Sequence, residues 1–208
     1  MVTPVDIHTH HLPQVPGKAI VNSYPEAFTP QEGGWYSVGI HPWRISSAKQ
    51  QLPAELVAHP QVLAIGEAGL DRLADTPIDI QTEVFEFQAR IAAEADKPLV
   101  IHLVKAVDQL LKLKQALRPS NPWIIHGFRG KPALAEEFLR HGFYLSFGER
   151  YQADALRITP PDRLFLETDE SPVPIAELYR RAAGVRGILP EQLGETVREN
   201  IGKVFFRQ

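Results

Sequence analysis

Eight short apolar runs recur along this 208-residue chain, and their spacing constrains its fold more than any other feature. They are Val5–His8, Ala19–Asn22, Tyr36–Gly39, Leu63–Gly66, Leu99–His102, Trp123–Ile125, Tyr144–Phe147 and Leu164–Glu167. Each is rich in Val, Ile, Leu or aromatic residues and ends near a polar residue or a glycine. Continuous apolar runs of this length suit strands covered on both faces, the condition of a parallel sheet. Most segments between them read as helices. Ile80, Val84, Phe87, Ile91 and Ala95 recur at spacings of three and four, with Glu83, Glu86, Arg90 and Glu94 filling the other face. A second helix is expected near Ala106–Leu117. A third starts at Pro132, a favoured first helical position, and stops at Gly142, which suits a left-handed cap. A last helix near Pro190–Phe206 presents Leu193, Val197, Ile201 and Val204.

Strands and helices alternating in this way make an α/β chain, a (β/α)8 TIM barrel. The stretch between His10 and Tyr36 is short, with frequent proline and glycine. The barrel is therefore expected to be distorted, with its early outer helices shortened or reduced to loops. No internal repeat, low-complexity tract or linker divides the chain, so one domain over residues 1–208 is the simplest organisation.

In such a barrel the active site lies at the C-terminal ends of the strands. Strand one ends in His8 and His10, which project the same way because successive strand residues alternate. The fourth strand is followed by Glu67, the fifth by His102, the sixth by His126 and the eighth by Asp169. A lone histidine after a strand is more often structural than a ligand. Four histidines and two carboxylates at the ends of five strands change those odds. Six ligands exceed what one tetrahedral ion takes and suit two ions that share a carboxylate. His8, His10 and Asp169 would hold one, His102 and His126 the other, and Glu67 would bridge. Nitrogen and oxygen donors without sulfur suit Zn, Mn, Mg or Ni. His59 and His141 are expected to be structural, at helix C-termini. His11 is expected to be exposed or to support a ligand.

There is no cysteine, which excludes disulfides, thiolate metal sites and a thiol nucleophile. The net charge of −3 argues against a broad basic surface for nucleic acid, though not against a local site made positive by metal ions. The first residues do not read as a signal peptide and no apolar run reaches the length of a membrane span, so a cytoplasmic location with no membrane partner is expected. No obligate protein partner is evident.

The motifs Asp6-Ile7-His8-Thr9-His10, Val38-Gly39-Ile40-His41-Pro42, Gly66-Glu67-Ala68-Gly69-Leu70-Asp71, Pro98-Leu99-Val100-Ile101-His102, Ile125-His126-Gly127-Phe128-Arg129-Gly130 and Leu166-Glu167-Thr168-Asp169 resemble, in order and spacing, the TatD family of metal-dependent hydrolases. The stretch Gln81–Gln88 is similar to the helix before the fifth strand in that family. The resemblance implies a distorted barrel of the amidohydrolase-like type with two divalent metal ions. It implies phosphodiester hydrolysis, often 3′–5′ exonuclease action on DNA. His8, His10, Glu67 and Asp169 would serve one ion, and Glu67, His102 and His126 the other, with His41 facing the substrate phosphate. The chain departs from the family at several loops. It is short before Tyr36, and has Leu103-Val104-Lys105 where a Ser-Arg-Asp-like run is usual. Gly127 replaces a frequent Cys, Trp43 stands where a second His is common, and Asp169-Glu170-Ser171-Pro172 is one residue longer than the usual ending.

The expected chemistry is hydrolysis of DNA or a small phosphoester, with Asp169 and Glu67 as catalytic groups and a metal-activated water. His41, Arg129 and Lys105 are the expected phosphate contacts. Asp71 and Glu167 are expected to orient loops or ligands by hydrogen bonding. Trp43 would either stack on a base or pack its loop. Two other readings stand beside this one. A lactonase, amidase or phosphotriesterase often bridges its ions with a modified lysine on the fourth strand, where this chain has Glu67. A barrel that binds metal without turnover has no use for a converging ligand set.

Overall fold

The computed structural model describes residues 4–45 and 51–207. Eight parallel strands hydrogen-bond side by side in chain order. They are β1 (Asp6–Thr9), β2 (Ala19–Ser23), β3 (Trp35–Val38), β4 (Val62–Asp71), β5 (Leu99–Val104), β6 (Trp123–Ile125), β7 (Tyr144–Phe147) and β8 (Leu164–Leu166). All eight apolar runs are strands. The sheet curls until β8 meets β1, where a single bridge joins Thr9 to Asp169. Side chains complete the seam. Asp6 Oδ1 accepts the Thr168 N–H at 3.1 Å and its Oδ2 accepts the Thr168 hydroxyl at 2.5 Å.

The helices cover the barrel unevenly. No helix stands between β1 and β2, and only the 3-10 turn Pro25–Ala27 lies between β2 and β3. Between β3 and β4, among the described residues, there are the 3-10 turn Pro42–Arg44 and the four-residue α1 (Ala54–Val57). Among the described residues the expected shortening thus extends to a third connection. From β4 onward the crossovers are helical: α2 (Ile78–Glu94), α3 (Val107–Leu117), α4 (Pro132–Arg140) and α5 (Ala153–Ile158). Two helices, α6 (Ile175–Arg186) and α7 (Pro190–Phe205), follow β8. Ile7, Ile20, Ile65, Leu99, Ile101, Ile124, Leu145 and Phe165 are fully buried strand residues. Each contributes about 1.5–3 kcal/mol by leaving water.

The face of α2 differs from the one its apolar spacing predicts. Ile80 and Phe87 are exposed, whereas Gln81, Phe85, Gln88, Ala89 and Ala92 are buried. The two glutamines are buried because each satisfies backbone groups of a strand end. Gln88 Oε1 accepts the Ile40 N–H at 2.7 Å and its Nε2 donates to the Ile40 carbonyl at 3.1 Å. Gln81 does the same for Asp71, at 2.7 and 2.8 Å. Hydrogen-bonding geometry, rather than apolar count, sets the inward face.

In β4 the register against β5 shifts between Ile65 and Ala68, so one extra residue is inserted at Gly66-Glu67. Such bulges re-aim side chains beside active sites. Gly66 has φ +143°, and a Cβ there would lie 2.6 Å from the Val100 carbonyl. Only glycine fits this kink, and the next side chain is Glu67.

Candidate metal centre

Glu67 is 4% exposed, and its two carboxylate oxygens face different groups. Oε2 stands 3.5 Å from Nε2 of both His8 and His10. Oε1 stands 2.7 Å from His126 Nε2, 2.9 Å from His102 Nδ1 and 3.4 Å from His41 Nε2. Asp169 Oδ1 lies 3.5 Å from His10 Nε2 and 3.9 Å from His8 Nε2. Asp169, beyond Glu167 and Thr168 at the end of β8, has φ +57°, a left-handed conformation that short polar side chains tolerate. The six expected ligands therefore converge from β1, β4, β5, β6 and the end of β8. His41 enters the same cluster, and its imidazole shares with Glu67 and His102 a spacing that could hold an ion.

The residues fit a divalent ion on grounds beyond their type. Both ring nitrogens of His8 are buried and have no hydrogen-bond partner in the protein. Around a tetrahedral ion with bonds of roughly 2.0–2.2 Å, ligand atoms stand about 3.4 Å apart. The His8–Glu67, His10–Glu67 and His10–Asp169 separations have that length. On the other side, His102 and His126 sit at hydrogen-bond distance from Oε1.

Neighbouring groups hold the candidate ligands by hydrogen bonds. Asn22 on β2 accepts the Glu67 N–H at 2.9 Å and reaches Oε2 with its amide at 3.4 Å. Asp71 Oδ2 receives His102 Nε2 at 3.0 Å, which turns Nδ1 toward Glu67. Glu167 Oε1 lies 3.1 Å from His126 Nδ1 and accepts the Gly127 N–H at 2.6 Å. Outer carboxylates of this kind set the tautomer and angle of a metal-binding imidazole. Asp71 and Glu167 thus stand where the sequence placed orienting groups. The sequence does not single out Asn22; its signal is the polar residue that closes the second apolar run.

Burial pushes the Glu67 carboxyl up, but the charge of His126 and hydrogen bonds from His10, His102 and His126 hold it well below the usual range. Burial pushes His126 down, yet Glu67 and Glu167 raise it well above the usual imidazole value. Burial also pushes Asp71 up, and hydrogen bonds from His102, the Leu73 N–H and Trp43 outweigh it. Asp6, at the seam, is raised to about 7 by burial.

A cavity of about 590 Å³ opens over the centre. His10, His41, Glu67, His102, His126 and Asp169 form its floor. Lys105 and Arg129 line it, as do Tyr24 and Arg44, which the sequence did not single out. The Arg44 guanidinium lies 3.8 Å from the centre of the Tyr24 ring. His11 is exposed, 3.3 Å from the Glu170 carbonyl. His141 ends α4, with Nδ1 2.9 Å from the Glu137 carbonyl. His59 lies just past the short α1, where its Nδ1 accepts the Gln61 N–H at 3.2 Å.

Residues 27–206 match the family described as TatD related DNase. The chain is 39% identical over 124 residues to the uncharacterized metal-dependent hydrolase YabD of Bacillus subtilis, covering 55% of this chain and 49% of that protein. It is 31% identical over 204 residues to the 3′-5′ ssDNA/RNA exonuclease TatD of Citrobacter rodentium, covering 82% of this chain and 76% of that one. The chain therefore spans about half of one of these relatives and three quarters of the other. Among solved structures, YJJV, a TatD homolog from Escherichia coli K12, superposes with a TM-score of 0.84 at 21% identity, over 100% of this chain and 99% of that one. Among the described residues no helix is long and apolar enough to cross a membrane. Converging imidazoles and carboxylates at the mouth of such a barrel, with these matches, place the chain in the TatD-related DNase family as a metal-dependent hydrolase.

Proposed function

We propose that this chain is a two-metal phosphodiesterase that removes nucleotides from the 3′ end of single-stranded nucleic acid. The division of Glu67 carries the reading: one oxygen faces His8 and His10, and the other faces His102 and His126. A bridging carboxylate requires that division. The relative from Citrobacter rodentium, a 3′-5′ ssDNA/RNA exonuclease, supports the choice of substrate.

Divalent ions held by these residues would lower the pKa of a water and offset charge on the phosphoryl oxygens. The protein groups supply the rest. Asp169 is 26% exposed and faces the cavity, so its carboxylate is placed to orient a water and accept its proton. His41 Nδ1 accepts the Trp43 backbone N–H at 3.1 Å, which leaves Nε2 as the protonated nitrogen. That N–H points into the centre and can donate to a phosphoryl oxygen. Lys105, Arg129 and Arg44 stand around the cavity after β5, β6 and β3, where they can attract the phosphates of a continuing strand.

The test is digestion of a 5′-labelled single-stranded oligonucleotide with Mn or Mg, alongside the E67Q variant. The expected result is stepwise shortening from the 3′ end. E67Q should retain the fold and lose metal, measured by elemental analysis, together with activity. An oligonucleotide left intact beside turnover of a simple lactone would replace this reading with a lactonase.

A further inference from the structure

Trp43 combines two properties. Its side chain is 65% exposed at the cavity, yet its indole N–H is committed to one buried acceptor. Nε1 donates to Asp71 Oδ2 at 2.6 Å. Asp71 itself is only 1% exposed, in the last position of β4. The same oxygen receives His102 Nε2 at 3.0 Å, and Oδ1 receives the Leu73 N–H at 2.8 Å.

Trp43 and His102 therefore converge on a single oxygen. The carboxylate torsion of an aspartate is soft, so its angle is set by what donates to it. Leu73 fixes Oδ1, and Oδ2 is fixed from two directions. Removing the indole N–H would leave His102 as the one side-chain donor to Oδ2 among the described residues and allow the carboxylate to turn. His102 Nδ1, 2.9 Å from Glu67 Oε1, would turn with it.

We infer that Trp43 is a positioning residue: its indole N–H holds Asp71 so that His102 presents Nδ1 to the metal centre. The inference rests on the two-metal reading above and adds a group outside the ligand set. It also gives the tryptophan a role separate from contact between its ring and a nucleobase. Both roles need position 43, but they need different atoms.

Two substitutions separate them. Trp43→Phe keeps an aromatic ring and removes the donor. Trp43→His keeps a donor, because imidazole Nε2 occupies the ring position of indole Nε1, and loses the large stacking surface. Mn²⁺ is titrated calorimetrically into the wild-type protein and both variants, with thermal melts as a control for folding. Trp43→Phe should bind one ion about tenfold more weakly and leave the other unchanged, the size of effect expected for an outer hydrogen-bond partner of a ligand. Trp43→His should stay within a few-fold of wild type. Unchanged Mn²⁺ binding in Trp43→Phe, or equal weakening in both variants, overturns the inference. Wild-type turnover of bis(p-nitrophenyl) phosphate, measured in parallel, tests the catalytic reading separately. Absent turnover with intact Mn²⁺ binding counts against the function and not against the role of Trp43.

Discussion

Asn22 grips Glu67 at two points, accepting its backbone N–H at 2.9 Å and reaching its Oε2 at 3.4 Å. The same Asn22 oxygen lies 3.4 Å from the Ser37 hydroxyl, so β2 and β3 together fix the side chain that β4 presents at its bulge. Asn22→Ala removes both contacts and leaves a buried N–H without a partner. Metal affinity should fall 10- to 100-fold, with a parallel loss of activity. Calorimetric titration with Mn²⁺, read beside the melting temperature, checks this. Wild-type affinity in the variant would show that the bulge alone aims Glu67.

Gln88 holds Ile40, and Ile40 precedes His41. Both Gln88 and Ile40 are buried, so water cannot replace the lost bonds when Gln88 is changed to the similarly shaped methionine. Two unsatisfied backbone groups should cost about 2–4 kcal/mol of stability, seen in urea denaturation. Catalytic turnover should fall as well, because the loop carrying His41 loses its tie to α2. A stability change under 0.5 kcal/mol would mean that the Ile40 backbone finds other partners.

The strands and the clustering of the six candidate ligands were legible because both follow from the order of strands along the chain. A buried parallel strand must be apolar along its length, and a barrel gathers its strand ends at one mouth. The pairing of α2 with its neighbours was not legible in the same way. Apolar spacing selected Ile80 and Phe87, whereas Gln81 and Gln88 face inward to bind the Asp71 and Ile40 backbones. A glutamine pair seven residues apart, flanking Phe85 on one helical face, is the available signal. Asn22 and Arg44 were missed for another reason. Their partners Glu67 and Tyr24 lie 45 and 20 residues away in sequence, and the lateral pairing of β2, β3 and β4 brings each pair together.

Lys114 on α3 lies over the Trp123 and Phe143 rings, 4.7 and 5.0 Å from their centres. Burial, with a smaller contribution from Arg163, pushes its ammonium down from 10.5 to about 8. Below about pH 8 the lysine is charged in both folded and unfolded chains, and its burial costs stability. Between about 8 and 10.5 the unfolded chain holds the proton and the folded chain does not, so stability rises with pH. Lys114→Met should therefore be more stable than wild type at pH 7, by roughly 1–2 kcal/mol once partial exposure is discounted. The gap should close by pH 10.5. Guanidinium denaturation at three pH values reads this directly, and a constant gap would sink the argument.

Arg44 stacks on Tyr24 at the edge of the cavity, on the opposite side of His41 in sequence from β3. Lys105 and Arg129 line the same cavity from the loops after β5 and β6. A small phosphoester at the proposed metal centre would need only the groups beside that centre. A strand with several phosphates can also reach charges set away from them. Arg44→Ala should raise KM for a single-stranded oligonucleotide several-fold and reduce the slope of log affinity against log salt by about 0.7. Bis(p-nitrophenyl) phosphate should be less affected than the oligonucleotide. Arg44→Lys should restore the salt slope but not the full affinity, because an ammonium cannot reproduce the planar stack on Tyr24. Equal losses on both substrates, with an unchanged salt slope, would show that Arg44 supports the loop carrying His41 rather than the strand.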